Sequence, residues 1–241
     1  MTQRGFTLLE LVVIIAVIAI LAAAESPSAL QRIMDTRVEA TQSEARALYE
    51  GMVGGNNGAD SFGFVGDIGR LPNSFQELVA PGGLPSYTTS TARGIGIGWR
   101  GPYVNSGTSA DDYLNDAFGH AYTGASSGQV RSAGPDGVFN TSDDIVYPTV
   151  APTITGTVNV TVKTLDSKNR TVVDPTGYSV ELYFASDGVE ATLTDAASPY
   201  SFTNVPIGLH AVRVIKNNGT IVAEDTVVVR PTGTAAAEIW F

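Results

Sequence analysis

Three carboxylates fall within nine residues of the segment 132–145, at Asp136, Asp143 and Asp144. Two glycines and a proline flank the first of them and bend the backbone. Hard oxygen ligands on a bent loop suit Ca²⁺, which takes six to eight oxygens including backbone carbonyls. Mg²⁺ fits less well, because it demands octahedral geometry and keeps its waters. The residue types therefore predict a calcium-binding loop.

The loop does not follow the EF-hand pattern. Counting from Asp136, the third, sixth and twelfth positions are Val138, Thr141 and Tyr147, where an EF-hand needs an oxygen ligand, a glycine and a glutamate. The alternative is an acidic hairpin with Asx turns and no metal. Three close carboxylates repel one another, so bound calcium is expected to order the loop and to stabilise its domain.

Composition argues against several classes of function. The net charge is −10, so the chain lacks the positive charge with which proteins neutralise nucleic-acid phosphates. It contains no cysteine, which excludes disulfides and thiol chemistry, and only two histidines, His120 and His210. No nucleophile–base pair can be placed in the sequence. We therefore predict that the protein is not an enzyme.

The N-terminal segment carries a further carboxylate, Glu10, in an unusual setting. Residues 6–24 are almost entirely apolar and would form about 28 Å of helix, close to the thickness of a hydrocarbon core. Glu10 lies inside this block, and a lone carboxylate in lipid costs several kcal/mol unless it is neutralised or paired. Arg4 precedes the block and Glu25 follows it, which favours an N-terminus in the cytoplasm.

Two interpretations of this segment have to be distinguished. A secretory signal peptide is loosely consistent with Arg4 and with the alanines at 22–24, but an acid at the start of the apolar core does not fit it. The stretch Gly5-Phe-Thr-Leu-Leu-Glu10 instead resembles the prepilin motif of type IV pilins and of type II secretion pseudopilins. The resemblance implies cleavage after Gly5, N-methylation of Phe6, and neutralisation of a neighbouring subunit's N-terminal amine by Glu10.

The apolar segment continues into a second helical stretch. Residues 28–52 are amphipathic, so we expect them to cover a domain core and to complete a spine helix over residues 6–52. Its apolar positions are Leu30, Ile33, Met34, Val38, Ala45, Leu48, Tyr49 and Met52. Pro27 predicts a kink or a local melt, and the resemblance to pilins suggests an opened helix at 19–27 in the assembled filament.

Residues 53–147 are expected to form a small globular domain. Trp99-Arg-Gly-Pro-Tyr103 and Asp116-Ala-Phe-Gly-His-Ala-Tyr122 resemble, in order and spacing, two motifs of major pseudopilins, and their aromatic rings are expected to pack a core. The acidic loop resembles the calcium loop of the same proteins. By that resemblance Asp136, Asp143 and Asp144 bind through side chains, and Ala133 and Thr141 through carbonyl oxygens.

The remainder of the chain is predicted to form a linker and a second domain. Residues 148–155 contain two prolines and predict a linker. Residues 156–241 show repeated alternation of apolar and polar residues, which predicts an all-β sandwich of about seven strands. The stretch 200–214 resembles the transthyretin-like sandwich of carboxypeptidase regulatory domains and Cna-B repeats. Tyr183, Tyr200 and Trp240 could stack a sugar ring if they were exposed.

The prediction is therefore an α+β protein with a five-residue leader, a long N-terminal helix on a calcium-binding pseudopilin-like domain, and a C-terminal sandwich. Its expected function is that of a structural subunit of a type IV pilus-like helical filament. The expected partners are further copies of itself, a prepilin peptidase and the assembly machinery. The precursor would lie in the cytoplasmic membrane, and the filament would be extracellular or periplasmic. The alternatives are the major pseudopilin of a type II secretion pseudopilus, and a membrane-anchored adhesion or binding module that does not polymerise.

Overall fold

The computed structural model describes residues 7–55, 62–104, 113–165, 172–173 and 176–241. It describes the side chains of all of these except 21–28, 165 and 172–173. The predicted leader and Phe6 lie outside the described residues.

The first element is a single long helix, α1 (Leu8–Val53). Thr7 caps its first turn, because the Thr7 side chain accepts a hydrogen bond from the backbone N–H of Glu10. The helix ends at Gly54, which adopts a φ of 90°. The backbone stays helical through Pro27, so the chain alone does not show the local melt. The opened helix of the assembled filament stays a prediction.

Burial divides α1 into two parts. All described side chains of residues 8–37 are exposed, whereas burial begins at Thr41 and continues through Ala45, Leu48 and Met52. Leu30, Ile33 and Met34, which the amphipathic pattern assigned to the domain core, are 65%, 52% and 40% exposed. That assignment was wrong, because the globular domain packs only against the last turns of α1 and leaves these residues beyond its edge.

The first globular domain surrounds the C-terminal part of α1 with short elements. These are α2 (Gly63–Ile68), two 3-10 helices (Phe75–Leu78 and Ala125–Ser127), and strands β1 (Thr88–Thr89), β2 (Gly96–Ile97), β3 (Val130–Ser132) and β4 (Ile145–Tyr147). Strand β1 pairs with β2 and β3 with β4, both antiparallel. The core combines Leu48 and Met52 of α1 with Phe64 and Ile68 of α2.

Three of the four motif aromatics belong to this core. Tyr122 is buried, and Trp99 and Tyr103 pack against the cluster with their rings edge to face at 6.0 Å. Phe118 does not join it, so the prediction was wrong for that ring. The turn that carries Phe118 holds the acidic loop instead, as described below.

The predicted sandwich is present, and its described residues form eight strands where about seven were expected. They are β5 (Thr155–Leu165), β6 (Val172–Val173), β7 (Tyr178–Ser186), β8 (Val189–Asp195), β9 (Tyr200–Pro206), β10 (Gly208–Lys216), β11 (Ile221–Val229) and β12 (Thr234–Trp240). One sheet has the order β11-β10-β7-β8, and the other has the order β12-β5-β6 with β9 also paired to β5. The pairing of β12 with β5 is parallel. The α+β class is confirmed.

The alternation that predicted the strands also identified their inward faces. Val158, Val160 and Val162 are buried in the core between the sheets, as are Val180 and Leu182. Burial in one layer fixes the register, since a shift by one residue would turn every side chain to the other face. The expected core of the sandwich is therefore confirmed at these positions.

The sugar-stacking hypothesis fails for two of its three rings. Tyr183 and Tyr200 are 7% and 4% exposed, so neither presents a face to solvent. Trp240 is 49% exposed, but its indole N–H donates to Glu238 of the same strand. No stacking platform is formed by the three residues together.

Within the described ranges, none of the helices combines the length and the apolarity that crossing a membrane requires. The predicted span covers residues 6–24. Phe6 and the side chains of residues 21–24 lie outside the described part of the chain. The span therefore stays a prediction.

Candidate assembly helix and acidic loop

Glu10 lies in the first turn of α1. A carboxylate at a helix N-terminus is stabilised by the unpaired N–H groups and the helix dipole, by about 0.3–1 kcal/mol. Thr7 and Glu10 also have the Ser/Thr-x-x-Glu spacing of a capping box, and the Thr7 half of that box is formed. Glu10 is exposed and available to a group from outside this chain.

The helix around Glu10 presents an apolar surface on every side. Ten large apolar side chains between Leu8 and Ile20 are 45–81% exposed. They are Leu8, Leu9, Leu11, Val12, Val13, Ile14, Ile15, Val17, Ile18 and Ile20. A helix that is apolar all round is stable only when buried in a protein core or in lipid. This segment therefore needs a partner that the isolated chain does not provide.

The acidic loop connects β3 to β4 and brings two of its three carboxylates together. The Thr141 hydroxyl donates to Asp143 Oδ1 at 2.7 Å and lies 3.4 Å from Asp144 Oδ1. Asp136 joins this pair through its backbone, since its N–H donates to Asp143 Oδ2 at 3.2 Å. Its own carboxylate accepts instead from the N–H of Val138.

Of the predicted carbonyl ligands, Ala133 is buried and Thr141 is half-buried. The hydrogen bond from Thr141 lowers the pKa of Asp143, with the N–H of Asp136 acting in the same direction, so the carboxyl stays charged. One cation is already close, because Arg131 Nη2 lies 3.6 Å from Asp144 Oδ2.

Within the described part of the chain, no three histidine, aspartate or glutamate side chains come together in an arrangement that could hold a metal ion. The loop thus brings the carboxylates of Asp143 and Asp144 together around the Thr141 hydroxyl. The Asp136 carboxylate binds the N–H of Val138 instead. Calcium needs only part of its six to eight oxygens from carboxylates, so the pair with backbone carbonyls fits the ion's chemistry. The calcium site stays a prediction.

A buried aspartate that the sequence reasoning overlooked holds the loop in place. Asp116, 5% exposed, accepts from the backbone N–H groups of Phe118 and His120 and from the hydroxyl of Ser132. Ser132 in turn accepts from the N–H of Gly134. The His120 ring reaches the same place, with Nδ1 3.0 Å from the Gly134 carbonyl.

Asp116 therefore ties the turn at 116–120 to the start of the acidic loop. The available signal was the aspartate that opens the second aromatic motif, followed three residues later by a glycine. From that motif we predict only that the aromatic rings pack a core.

Residues 1–24 match the family model described as the prokaryotic N-terminal methylation motif. The chain begins with a prepilin-type motif. The motif implies processing by a prepilin peptidase and N-methylation, and it covers the positions Gly5, Phe6 and Glu10.

The match is confined to that segment, and the other comparisons are weak. A variant of BcpA, the major pilin subunit of Bacillus cereus, has a crystal structure with 18% sequence identity and a TM-score of 0.24 to this protein. The alignment covers 46% of this chain and only 36% of the BcpA chain. No curated protein sequence matches the chain significantly. Neither comparison assigns a role to the two outer domains.

Proposed function

We propose that this protein is a structural subunit of a type IV pilus-like helical filament. The single observation that carries the proposal is the exposed apolar part of α1, which lies within the prepilin-type motif and contains one acid, Glu10. A membrane precursor would be cut after Gly5, and the helices would then pack against one another as the filament core.

The physics of the helix favours a bundle of copies as its final environment. Lipid is as apolar as these side chains, so leaving the membrane brings little hydrophobic gain, and close packing between helices supplies much of the association. The carboxylate of Glu10 then finds its partner in the N-terminal amine of Phe6 of a neighbouring copy. Such a pair, shielded from water, sets the axial register of the subunits, while the cost of desolvating its two charges offsets much of their attraction.

The exposed surface of α1 extends beyond the membrane-length segment. Leu30, Ile33 and Met34 remain uncovered below the globular domain. From Leu8 to Met34 the helix is about 40 Å long. We propose that residues 30–34 contact neighbouring helices in the filament, next to the level at which the globular domains begin.

Substitution at Glu10 tests the assembly role. Glu10→Ala should prevent sheared filaments from being recovered, while the circular dichroism of the purified chain is unchanged, because the outer domains do not contact Glu10. Glu39→Ala is the matched control, since Glu39 is an exposed glutamate on the same helix. Filaments at normal yield from Glu10→Ala would disprove the pairing.

The cellular location of the filament separates the alternatives. Immuno-electron microscopy with an antibody against the sandwich should label long extracellular fibres if the protein is a surface pilin. Labelling confined to short envelope structures would indicate a type II secretion pseudopilus. Scattered labelling of the membrane without fibres would indicate a non-polymerising adhesion or binding module and would refute the proposed function.

We also propose that Ca²⁺ binds the acidic loop. Asp136, Asp143 and Asp144 would be the side-chain ligands, with the carbonyls of Ala133 and Thr141. Bound calcium would neutralise the carboxylates and fix the loop between β3 and β4, which packs beside α1. The support is the Asp143–Asp144 pair around the Thr141 hydroxyl and the anchoring of the loop by Asp116.

A thermal melt in excess calcium and in chelator tests this proposal. The melting temperature should rise by several degrees in calcium for the natural chain and should not respond in Asp143→Asn. Asp35→Asn removes one negative charge from the exposed part of α1, beyond the edge of the domain, and should retain the response. Identical melting curves of the natural chain in calcium and in chelator would refute calcium binding and would indicate an acidic hairpin without metal.

A further inference from the structure

We infer that the C-terminal sandwich is locked in one orientation against the first globular domain, through a docking surface formed by α2 and the hairpin 88–97. The sandwich is therefore a fixed part of the subunit, and residues 148–155 are not its only connection to the spine. The inference does not depend on whether the chain polymerises.

The hairpin 88–97 covers a sheet face that would otherwise be open to solvent. On β10 the side chains of Val212 and Val214 point into the sandwich core, so the alternate residue Ala211 points outward. Ala211 is nevertheless fully buried, and its neighbour Tyr183 on β7 is 7% exposed. Both are packed against Ala92 and Ile95 of the hairpin, which are 0% and 4% exposed.

Polar contacts surround this apolar patch and are specific to its geometry. The Thr91 N–H and hydroxyl donate to the two oxygens of the Glu190 carboxylate, each at 2.8 Å. Arg213 donates from Nη2 to the Thr91 carbonyl and from Nη1 to the Tyr183 hydroxyl, both at 2.9 Å. Its Nε donates to Glu224. Thr91 thus has its N–H, hydroxyl and carbonyl all bonded to the sandwich.

The second half of the docking surface is a backbone contact made possible by glycine. The Gly188 N–H donates to the Ile68 carbonyl at 2.9 Å, which joins the β7–β8 turn to the end of α2. Gly69 follows with a φ of 87°, and a Cβ placed there would lie 2.0 Å from the Ala185 carbonyl oxygen. The backbone segments at Gly69 and Ala185 approach so closely here that only glycine fits at position 69.

An ion pair closes the edge of this contact, where Arg70 Nε donates to Asp187 Oδ1 at 2.7 Å. The linker is held as well, because the Gln129 side chain donates to the carbonyls of Pro148 and Thr149. Force applied to the sandwich is therefore transmitted to α1 through α2 and the hairpin in addition to the linker. Each subunit would present its sandwich at the same angle to the spine helix.

Hydrogen exchange and calorimetry of the full chain test the lock. The natural chain should unfold in a single transition, with amides of the hairpin protected. Ala211→Glu places a charge in the apolar patch without touching the sandwich core, and it should separate the unfolding into two transitions. It should also raise exchange in residues 90–97 by at least about tenfold. The matched control is Thr203→Glu, an exposed position on β9 in the other sheet, which should change neither readout.

Ala92→Glu provides a second route, because it disrupts the same patch from the hairpin side if Ala211→Glu does not fold. Two independent transitions in the natural chain, or unchanged exchange in both variants, would overturn the inference. Protection of the hairpin that depends on protein concentration would also overturn it, since the contacts would then form between copies rather than within one chain.

Discussion

Acidification should destabilise the sandwich between pH 6.5 and 4 through His210. This side chain is 1% exposed and packs edge to face on Phe184, with ring centroids 6.3 Å apart. Nε2 lies 2.7 Å from the Pro206 carbonyl oxygen, which can only accept, so Nε2 carries the proton of the neutral ring. Among the described residues, Nδ1 has no hydrogen-bond partner. Burial lowers the pKa of His210 from 6.5 to about 4.

The sign and size of the effect follow from linkage. Between the two pKa values the unfolded chain binds a proton at His210 and the native chain does not, so stability falls as the pH falls. Each pH unit in that window is worth roughly 1.4 kcal/mol. The loss should reach about 2 kcal/mol at pH 5 and about 3 kcal/mol near pH 4. Carboxyls with lowered pKa, such as Glu190, add a further loss mainly below pH 4.5.

Urea unfolding of the full chain between pH 7.5 and 5, followed by tryptophan fluorescence, measures this slope before the carboxyls titrate. At pH 7.5 His210→Phe should be about 1–3 kcal/mol less stable than the natural chain, because the Pro206 carbonyl is left without its donor. The free energy of unfolding of this variant should also no longer fall between pH 7.5 and 5. Phe184→Leu removes the neighbouring ring but no titratable group, so it should be destabilised with the slope intact. Equal slopes in the natural chain and in His210→Phe would refute the reasoning.

Three further substitutions probe packing and are checked by chemical denaturation. Gly69→Ala should cost about 2–3 kcal/mol or more, because φ is 87° and the added Cβ meets a carbonyl of β7, whereas Gly83→Ala, with no atom near the added Cβ, should be close to neutral. Met52→Ala should cost about 2–5 kcal/mol at a fully buried position, and Met34→Ala, 40% exposed, far less. Asp116→Ala should cost about 2–4 kcal/mol, since it strands two N–H groups and a hydroxyl. A stability loss at Gly83 or Met34 equal to that at its buried counterpart would contradict these assignments.

The features that sequence predicted best are those encoded locally. The methylation motif is a short string of residue types, and the comparison with known families matches it directly. The alternation at Val158, Val160 and Val162 is likewise local, because neighbours in a strand point to opposite faces whatever the rest of the chain does. The order of helix, small domain and sandwich followed from such patterns.

The acidic loop was predictable in its residue types and only partly in its geometry. Spacing alone brought Asp143 and Asp144 together, since they are adjacent in the chain. The direction of the Asp136 side chain depends on a competing N–H at Val138. The anchor at Asp116 depends on a contact with Ser132, sixteen residues away, and no local pattern reports such a pairing.

The sequence by itself determined where the chain is apolar and with what period, and therefore which segments become helix or strand. Only the tertiary structure decided which apolar faces are covered. Leu30 and Ile33 have the helical spacing of core residues, yet the domain ends before it reaches them. Tyr183 lies on the outward face of its strand and is buried by a hairpin about ninety residues earlier in the chain. Periodicity assigns a side chain to one face of its own element, whereas burial depends on which other element packs there.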